Sequence, residues 1–329
     1  MRVYLTGGTG LLGSHLARLL RSQDHEVVAL HRKGADTLLL EECGCELIQG
    51  DVREEADQLR RGMEGCTHVV HGAALVYADG TWPTVRSVNV DGTRNVLRAA
   101  AESGVGHAVH ISSVAVYGTT EGTVDETRAL DSDLPPGDLY ARSKREAEEV
   151  ARGIEERRGI PVTIVRPSAV YGEWDRLMVP AIADILRFPL VPLFGPGDNT
   201  LPVVYAGNVA EALSLVLEAR LDGETFDIGL DHPLTQRQLM EWLGRGLERS
   251  TRFVSIPAGV VRGTVGAMVR FGVTTPGAKH LPLDRVARLA LGENPYLSRR
   301  IRTQLNWQPS HSHEDALARS GQWYAGHRR

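Results

Sequence analysis

Cysteine is scarce in this chain of 329 residues, which contains only Cys43, Cys45 and Cys66. A small, odd number of cysteines does not form a disulfide framework. Cys43 and Cys45 are also too close together for the usual zinc-binding pairs, and the histidines form no metal-binding pattern with nearby acids. We therefore expect reduced thiols and no metal site. Because the sequence opens on an apolar strand pattern and not on a signal peptide, we expect a cytoplasmic location.

An excess of charge of either sign is also lacking, because 37 Lys and Arg residues face 41 Asp and Glu residues. A nucleic-acid-binding protein would carry a basic stripe, so this balance argues against such a partner. The most apolar segment, residues 254–273, is interrupted by Arg262 and Arg270 and contains several glycines. These residues argue against a membrane span. The segment is predicted to be a buried or pocket-covering helix, with peripheral membrane contact as the alternative.

Short apolar runs alternate with helical patterns through the first half of the chain. The predicted strands are Val3–Leu5, Val27–Leu30, Leu47–Gln49, Val69–His71, Ala108–Ser112, Val162–Arg166 and Thr225–Gly229. The predicted helices are Leu12–Ser22, Val90–Ser103 and Leu139–Arg157. This alternation is typical of βαβ units around a parallel sheet whose two faces are both covered. It predicts an α/β, doubly wound Rossmann fold with a smaller, interleaved C-terminal substrate region.

The domain boundaries follow from changes in composition. Residues 172–202 are rich in Pro and Gly around a short helical run, and residues from 234 onward are mostly helical in pattern. We therefore expect a dinucleotide-binding domain formed by residues 1–171 plus about 203–229. The substrate-binding region would comprise about 172–202 plus 230–329.

The sequence TGGTGLLGSH (6–15) stands between the first strand and the first helix. Glycines at 7, 10 and 13 in this position suit a pyrophosphate site: one permits the tight turn, one lets the backbone approach the phosphates, and one lets the helix pack on the strand. The helix N-terminus then offers unpaired N–H groups to the anion. A plain glycine turn is the alternative, and a P-loop is excluded because no Gly-Lys-Ser/Thr follows.

The residues after the second strand bear on the choice of cofactor. An NAD site usually has an acidic residue about 20 residues after the glycines, whereas an arginine there suits a 2′-phosphate. This chain has Arg32 and Lys33 at that position, which favours NADP over NAD, although a solvated pair of charges is the alternative. Asp51, after the third strand, is a candidate acceptor for the adenine amino group.

Tyr140 and Lys144 stand four residues apart near the start of a predicted helix, with Asp138 as its predicted N-cap. This spacing puts both side chains on one helix face. A neighbouring ammonium lowers the pKa of a phenol, so that the phenol can exchange a proton with a carbonyl or alcohol oxygen. Ser113 follows the fifth strand and reaches the same sheet edge as the glycine loop, where ligands of such sheets bind.

Further motifs occur in a characteristic order. They are TGGTGLLG (6–13), HGAA (71–74), NVDGT (89–93), SSVAVYG (112–118), YARSK (140–144) and VRPSAVYG (165–172). Together they resemble the extended short-chain dehydrogenase/reductases. The resemblance implies that Tyr140 is the general acid/base, that Lys144 binds the nicotinamide ribose and lowers the pKa of Tyr140, and that Ser113 polarises the substrate oxygen. Taken together, the glycine loop, the residues after the second and third strands and this resemblance give a set of predicted cofactor-binding residues: Thr6, Gly7, Gly10, Leu11, Leu12, Gly13, Arg32, Asp51, Val52, Ala73, Ala74, Tyr140, Lys144, Pro167 and Ser168.

Several activities are possible within this family. Nucleotide-sugar 4,6-dehydratases carry an Asp-Glu pair after the catalytic hydroxyl residue, whereas Val114 and Ala115 come after Ser113 here. The segment 203–210 and the C-terminal tail are similar to the 3β-hydroxysteroid dehydrogenase and dihydroflavonol reductase branch. We therefore expect an NADP-preferring oxidoreductase that acts on a small, apolar ketone or secondary alcohol. A nucleotide-sugar epimerase that retains NAD is the alternative, and a non-catalytic dinucleotide-binding regulator is a second one.

Aromatic and apolar residues near the sheet edge are candidate walls of a substrate pocket. They are Tyr77, Trp82, Trp174 and Met178. Packing between the two regions is an equally good interpretation of these residues. Members of the family often dimerise through the helices that flank the active site. Because the Tyr140 helix is heavily charged, both a homodimer and a monomer are compatible with the sequence.

Overall fold

The computed structural model describes residues 1–76, 80–119, 122–130, 132–135, 137–257, 259–260, 263 and 293–327. Most of the apolar segment 254–273 lies outside these residues, so the prediction of a buried helix there is not addressed. Tyr77, a candidate pocket residue, also lies outside them.

The strands and helices agree closely with the predicted segments in the first half of the chain. The strands are β1 (Arg2–Thr6), β2 (Glu26–His31), β3 (Glu46–Gln49), β4 (His68–His71), β5 (His107–Ile111), β6 (Val162–Pro167), β7 (Ala169–Tyr171), β8 (Val191–Phe194), β9 (Val203–Tyr205), β10 (Thr225–Ile228) and β11 (Phe253–Ile256). The helices are α1 (Leu11–Ser22), α2 (Leu38–Glu42), α3 (Ala56–Arg60), α4 (Trp82–Arg86), α5 (Gly92–Glu102), α6 (Leu139–Arg158), α7 (Met178–Ile185), α8 (Ala206–Ala219), α9 (Gln236–Gly246), α10 (Arg299–Gln304) and α11 (His313–Gly326). A π-helical turn (Ser87–Asp91) precedes α5, and a 3₁₀ turn (Val114–Tyr117) follows β5.

A seven-stranded parallel sheet forms the centre of the molecule, in the order β10-β6-β5-β4-β1-β2-β3. This order reverses between β1 and β4, which makes that point the topological switch where ligands bind in doubly wound sheets. The predicted α/β Rossmann fold is therefore confirmed.

The sheet is buried on both faces because alternate residues of each strand point to opposite sides. Val3 and Leu5 of β1 pack in one core with α1 and α8, whereas Tyr4 packs in the other with α5 and α6. The strands β4, β5 and β6 are buried along their whole length, which explains why most of their residues are apolar.

The C-terminal elements build a third core around α7, α9 and α11, with Leu193 of β8 and Leu243 of α9 fully buried. Here the sequence interpretation was incomplete. Residues from 234 onward were expected to be mostly helical, but β11 pairs in parallel with β8, with Val191 opposite Phe253. Each strand is only four residues long, and the partners are far apart in the chain, so neither has a local signal of pairing.

Candidate active site

The glycine loop is a tightly closed turn between β1 and α1. Gly7 adopts φ +81°, and the Gly10 N–H donates to the Gly7 carbonyl over 3.0 Å. A Cβ atom at Gly13 would lie 2.1 Å from the Gly7 oxygen, and one at Gly7 would lie 2.7 Å from the Gly72 carbonyl carbon. Helix α1 has no acidic residue in its first turn and no side-chain cap, which leaves its N–H groups directed at the loop.

The loop that follows β4 is held against the glycine loop by hydrogen bonds. The Ala73 N–H donates to Thr6 Oγ1 over 3.2 Å, and Thr6 Oγ1 also contacts His71 Nδ1 at 2.8 Å. Ala73 and Ala74 are half-buried beside this contact. The structure thus brings Thr6, Gly7 and the predicted residues Ala73 and Ala74 to the switch point of the sheet.

Asn89 fixes the same loop from the other side, a function that the sequence analysis did not assign. Its Oδ1 accepts from the Leu75 N–H at 2.7 Å, and its Nδ2 donates to the Leu75 carbonyl at 3.0 Å and to Ser143 Oγ at 2.8 Å. The π-helical turn carries this buried side chain between the β4 loop and α6. The NVDGT motif marks the position, but only the folded chain gives its contacts.

Arg32 and Asp51 follow two neighbouring strands, β2 and β3. The Gly50 N–H donates to the His31 carbonyl at 2.9 Å, so the ends of the two strands lie side by side. Arg32 is exposed. The Asp51 carboxylate accepts from Arg53 Nε at 2.9 Å and Nη2 at 2.7 Å, and these bonds, with smaller contributions that include Arg32, hold the pKa of Asp51 below its usual value. The next residue, Val52, is buried against Gly92.

Ser113 stands directly after β5 and begins the 3₁₀ turn. Its backbone is extended, and its Oγ accepts from the Ala115 N–H at 3.2 Å as the N-cap of that turn. The side chain is almost buried, with 9% of the residue exposed. It therefore has a fixed position at the carboxyl edge of the sheet, where its hydroxyl hydrogen can still be donated to a ligand.

Tyr140 and Lys144 lie on one face near the start of α6, as their spacing predicts. The predicted cap is present, because Asp138 Oδ1 accepts from the Ala141 N–H at 2.9 Å. Lys144 Nζ lies 6.0 Å from the centre of the Tyr140 ring and donates to the Ile111 carbonyl at 2.7 Å. Burial lowers the pKa of Lys144 to about 8, although the Glu148 carboxylate opposes this shift. A buried ammonium is thus anchored to the end of the strand that leads to Ser113.

Comparison with known proteins places this geometry in a family. The model of the NAD-dependent epimerase/dehydratase family matches residues 3–229. The chain belongs to this family. Its fold, motifs and relatives make it an enzyme of the extended short-chain dehydrogenase/reductase class.

Relatives within this class differ in their named activities. Sterol demethylase protein B of Methylococcus capsulatus is 30% identical over 266 residues, which is 80% of each chain. A farnesyl-dihydroquinoline-oxide ketoreductase of Stigmatella aurantiaca is 27% identical over 98% of this chain and 97% of its own. Among solved structures, the dTDP-glucose 4,6-dehydratase DesIV of Streptomyces venezuelae, with NAD and TYD bound, is 27% identical with a TM-score of 0.75 over 100% of this chain and 98% of that one.

The remaining predicted cofactor residues of this dehydrogenase/reductase chain line the same edge. Leu11 and Leu12 begin α1, Pro167 ends β6, and Ser168 follows it. Ser168 Oγ is buried and has no hydrogen-bond partner within the described part of the chain. A buried, unpaired hydroxyl at this edge is suited to a polar group of a ligand.

The candidate pocket residues make contacts within the protein. Arg142 of α6 stacks on Trp82 at 3.8 Å from the ring centre. Trp174 adopts φ +67° and packs against His15 of α1 at 5.0 Å and Trp323 of α11 at 5.9 Å. Met178 begins α7 and packs on the third core. Trp174 thus joins the two regions of the chain, in agreement with the packing alternative for this residue.

A metal cluster and a membrane-spanning helix are both absent from the described residues. No group of three or more His, Cys, Asp and Glu side chains there could hold a metal ion. Within the same residues, no helix is both long and apolar enough to cross a membrane.

Proposed function

We propose that this protein is an NADP-preferring oxidoreductase that interconverts a carbonyl and a secondary alcohol in a small, apolar substrate. The observation that carries the proposal is the buried Lys144 ammonium beside the Tyr140 ring, anchored to the strand that ends at Ser113. We further infer that residues 1–171 with about 203–229 bind the cofactor, and that about 172–202 with 230–329 bind the substrate.

The glycine loop fits a dinucleotide. Side chains at Gly7 or Gly13 would collide with backbone atoms, and the uncapped N-terminus of α1 supplies N–H groups and the positive end of the helix dipole for a pyrophosphate. Thr6, Gly10, Leu11, Leu12, Val52, Ala73 and Ala74 would complete the cofactor site. When bound, the nicotinamide supplies or accepts the hydride.

The chain's own residues would handle the substrate oxygen. Tyr140 would donate its proton to the oxygen in reduction and withdraw it in oxidation. Ser113 would donate a hydrogen bond to the same oxygen, and Lys144 would hold positive charge beside the phenol and bind the ribose. Pro167 and Ser168 would border the nicotinamide ring.

The substrate class is inferred from the two residues after Ser113 and from the relatives. Val114 and Ala115 are both buried and carry no carboxylate, so the acid and base of a 4,6-dehydratase are missing at this position. Two of the similar proteins are named for a sterol and for a farnesyl-substituted ketone. An apolar ketone or alcohol is therefore the class to screen first.

Cofactor preference is tested by calorimetric titration with NADPH and NADH. Exposed Arg32 would pair with the 2′-phosphate, and a hydrogen bond between charged groups contributes about 1.5–3 kcal/mol. We expect Arg32→Ala to weaken NADPH binding by about 10- to 100-fold and to leave NADH binding nearly unchanged. Arg61→Ala, which removes another exposed arginine after α3, is the matched control. Equal losses for both cofactors in Arg32→Ala would contradict the assignment.

The reaction is tested with a panel of apolar ketones and NADPH. Removing the general acid should lower kcat by about 10²- to 10⁴-fold. Tyr140→Phe should therefore abolish turnover and preserve calorimetric NADPH binding, whereas Tyr4→Phe, at a buried hydroxyl in the sheet core, should remain active. Turnover that survives in Tyr140→Phe would exclude the proposed role of Tyr140.

The alternative function is a nucleotide-sugar epimerase with retained NAD, which would use the same Ser113, Tyr140 and Lys144. The similar structure of DesIV supports this alternative, because DesIV is named for a nucleotide-sugar substrate and was solved with NAD and TYD bound. It predicts that NAD co-purifies with the protein and survives dialysis. The absorbance of the purified protein distinguishes the two functions before any substrate is known.

A further inference from the structure

Four side chains form a buried polar network behind the candidate active site. Arg166 of β6 makes two bonds to Glu148 of α6, from Nε to Oε1 at 2.9 Å and from Nη2 to Oε2 at 2.6 Å. Its Nη1 donates to the Tyr117 hydroxyl at 2.7 Å, and that hydroxyl donates to Asp227 Oδ2 on β10 at 2.7 Å. All four residues are at most 6% exposed. None of them is among the residues assigned above to the cofactor or to the substrate.

The network is attached to both halves of the candidate catalytic set. Tyr117 ends the 3₁₀ turn that Ser113 begins. Glu148 follows Tyr140 and Lys144 at successive four-residue steps along α6, so the three lie along one face of that helix. The Glu148 carboxylate also stabilises the charged form of Lys144. Tyr117 and Arg166 therefore connect the turn that Ser113 begins to the face of α6 that carries Lys144.

The network has an incomplete end at Asp227. Oδ1 of this carboxylate has no hydrogen-bond partner among the described residues, and Arg166 Nη1 is 4.0 Å away. With Glu148 and Asp227 both ionised, two negative charges share one buried arginine. A proton on Asp227 would make the network neutral, and an unpaired buried charge is costly.

The surroundings of Asp227 decide when that proton is bound. Two further charged groups lie near Asp227 besides Tyr117, Arg166 and Glu148. Glu126 accepts a hydrogen bond from the Asp227 N–H at 2.9 Å. Arg300 donates to the Thr225 carbonyl on the same strand. Tyr296 stacks on Tyr117 from the outer side. Burial, reinforced by Glu126 and Glu148, raises the pKa of Asp227 to about 7, against the effects of Tyr117 and Arg166.

We propose that Tyr117, Glu148, Arg166 and Asp227 are positioning residues that couple the Ser113 turn to the Lys144 face of α6, and that proton uptake by Asp227 loosens this coupling. Ionised Asp227 holds the Tyr117 hydroxyl by a charge-assisted bond, which is stronger than the bond to a neutral acid. The 3₁₀ turn is then held firmly. The inference concerns the same site as the proposed function and rests on its assignment of Ser113, Tyr140 and Lys144.

The first test needs no substrate. Protein labelled with ¹³Cζ-tyrosine is titrated by NMR from pH 5.5 to 9, and the Tyr117 and Tyr140 signals are assigned from their Phe variants. We expect both signals of the wild type to shift in a common step near neutral pH. The step near pH 7 should be absent from Asp227→Asn, which keeps the shape of the side chain but cannot ionise, and the Tyr140 step near pH 7 should be absent from Tyr117→Phe. Ionisation of Lys144, whose pKa is about 8 and whose Nζ lies 6.0 Å from the centre of the Tyr140 ring, adds a Tyr140 shift that all these proteins share. The contribution of Asp227 is therefore the difference between the wild-type and variant titration curves. Tyr4→Phe should retain both steps.

The second test uses turnover, once a ketone substrate is found. The ratio of wild-type kcat to Asp227→Asn kcat cancels ionisations that the two proteins share. We expect this ratio to rise by about tenfold between pH 6 and pH 8, with KM nearly constant, since about 1.4 kcal/mol separates a charged from a neutral hydrogen bond.

The outcomes separate this inference from the proposed function. A step near pH 7 confined to Tyr117, or a Tyr140 titration curve that is the same in Asp227→Asn as in the wild type, would overturn the coupling. Failure of every ketone to react would count against the reductase function only, because the NMR result would still decide whether Asp227 communicates with Tyr140.

Discussion

At the scale of one residue, Lys144, a proposed catalytic group, carries a buried charge that we expect to reduce stability. The residue is 4% exposed, and burial lowers the pKa of its ammonium to about 8. Glu148 already has Arg166 as its bidentate partner, so it does not depend on Lys144 for a counter-ion. We expect Lys144→Met to abolish turnover and to raise the free energy of unfolding at pH 7 by about 1–2 kcal/mol, because the apolar chain removes the cost of a buried charge. Thermal unfolding and a turnover assay check this.

The pH dependence provides the control for that prediction. In the unfolded chain Lys144 binds its proton up to about pH 10.4, whereas in the folded chain it loses the proton near pH 8. The free energy of unfolding of the wild type should therefore rise between these pH values, and its difference from that of Lys144→Met should become smaller there. A variant that is less stable than the wild type at pH 7 would show that the Lys144–Ile111 hydrogen bond outweighs desolvation.

Local spacing in the sequence is sufficient to bring some site residues together. Tyr140 and Lys144 lie on one helix, and Gly7, Gly10 and Gly13 lie in one turn, so their relative positions follow from neighbouring backbone geometry. Asn89 and Asp227 could not be found in this way. Their partners are on other strands and helices, and a lone Asn or Asp in the sequence gives no sign of them.

Gly13 illustrates a constraint that belongs to a whole element, the turn between β1 and α1. A Cβ atom there would be 2.1 Å from the Gly7 oxygen and 2.8 Å from the Gly8 Cα. Because both contacts are backbone atoms, Gly13→Ala must displace the loop from the helix. We expect NADPH affinity to fall by at least about 100-fold, with a destabilisation of about 1–3 kcal/mol from overpacking. Calorimetry and thermal unfolding measure the two effects.

Gly326→Ala is the matched helical control for Gly13→Ala. Gly326 ends α11, and a Cβ there would meet no atom within 4 Å beyond its own stretch of helix backbone. Alanine has the higher helix propensity, so this variant should bind NADPH normally and be no less stable than the wild type. Normal NADPH binding by Gly13→Ala would mean that the phosphates do not contact this loop.

Element boundaries were predictable where the apolar pattern is strong. The predicted Leu139–Arg157 corresponds to α6, Leu139–Arg158, and the Asp138 cap is present. The short strands β8 and β11 were missed because four residues carry little periodicity and their pairing is set by the tertiary fold. The π-helical turn at Ser87–Asp91 was also merged into the predicted helix that starts at Val90.

At the scale of the molecule, the order of strands and helices was sufficient to predict the doubly wound sheet, because parallel neighbours need helical crossovers. The interior of that sheet was less predictable. His68 faces His107 and His71 faces His110 across β4 and β5, and all four side chains are fully or almost fully buried. Hydrogen bonds join His71 to Thr6 and Thr93, and His107 to Thr163, whereas neither ring nitrogen of His110 has a partner among the described residues.

These histidines should make the fold sensitive to acid. Burial lowers the pKa of His71 to about 3 and that of His68 and His107 to about 4, and it also lowers the pKa of His110. In the unfolded chain each would titrate near pH 6.5. The unfolded state therefore binds more protons below this pH, and stability falls by up to about 1.4 kcal/mol per pH unit for each histidine. Protonation of Asp227 below pH 7 has the opposite effect and stabilises the folded state, because its pKa is raised to about 7. This single group offsets only part of the effect of the four histidines.

The measurement is thermal unfolding between pH 8 and pH 4.5. We expect a plateau above about pH 6.5 and a steep loss of stability below it, because a few such groups exhaust the usual 5–15 kcal/mol of a folded protein. His110→Leu should make the loss of stability with falling pH less steep. The substitution breaks no hydrogen bond to a described residue, because neither ring nitrogen of His110 has such a partner. His327→Leu, at an exposed position after α11, should leave the slope unchanged. If His110→Leu and the wild type lose stability in parallel as the pH falls, His110 is not held neutral inside the sheet.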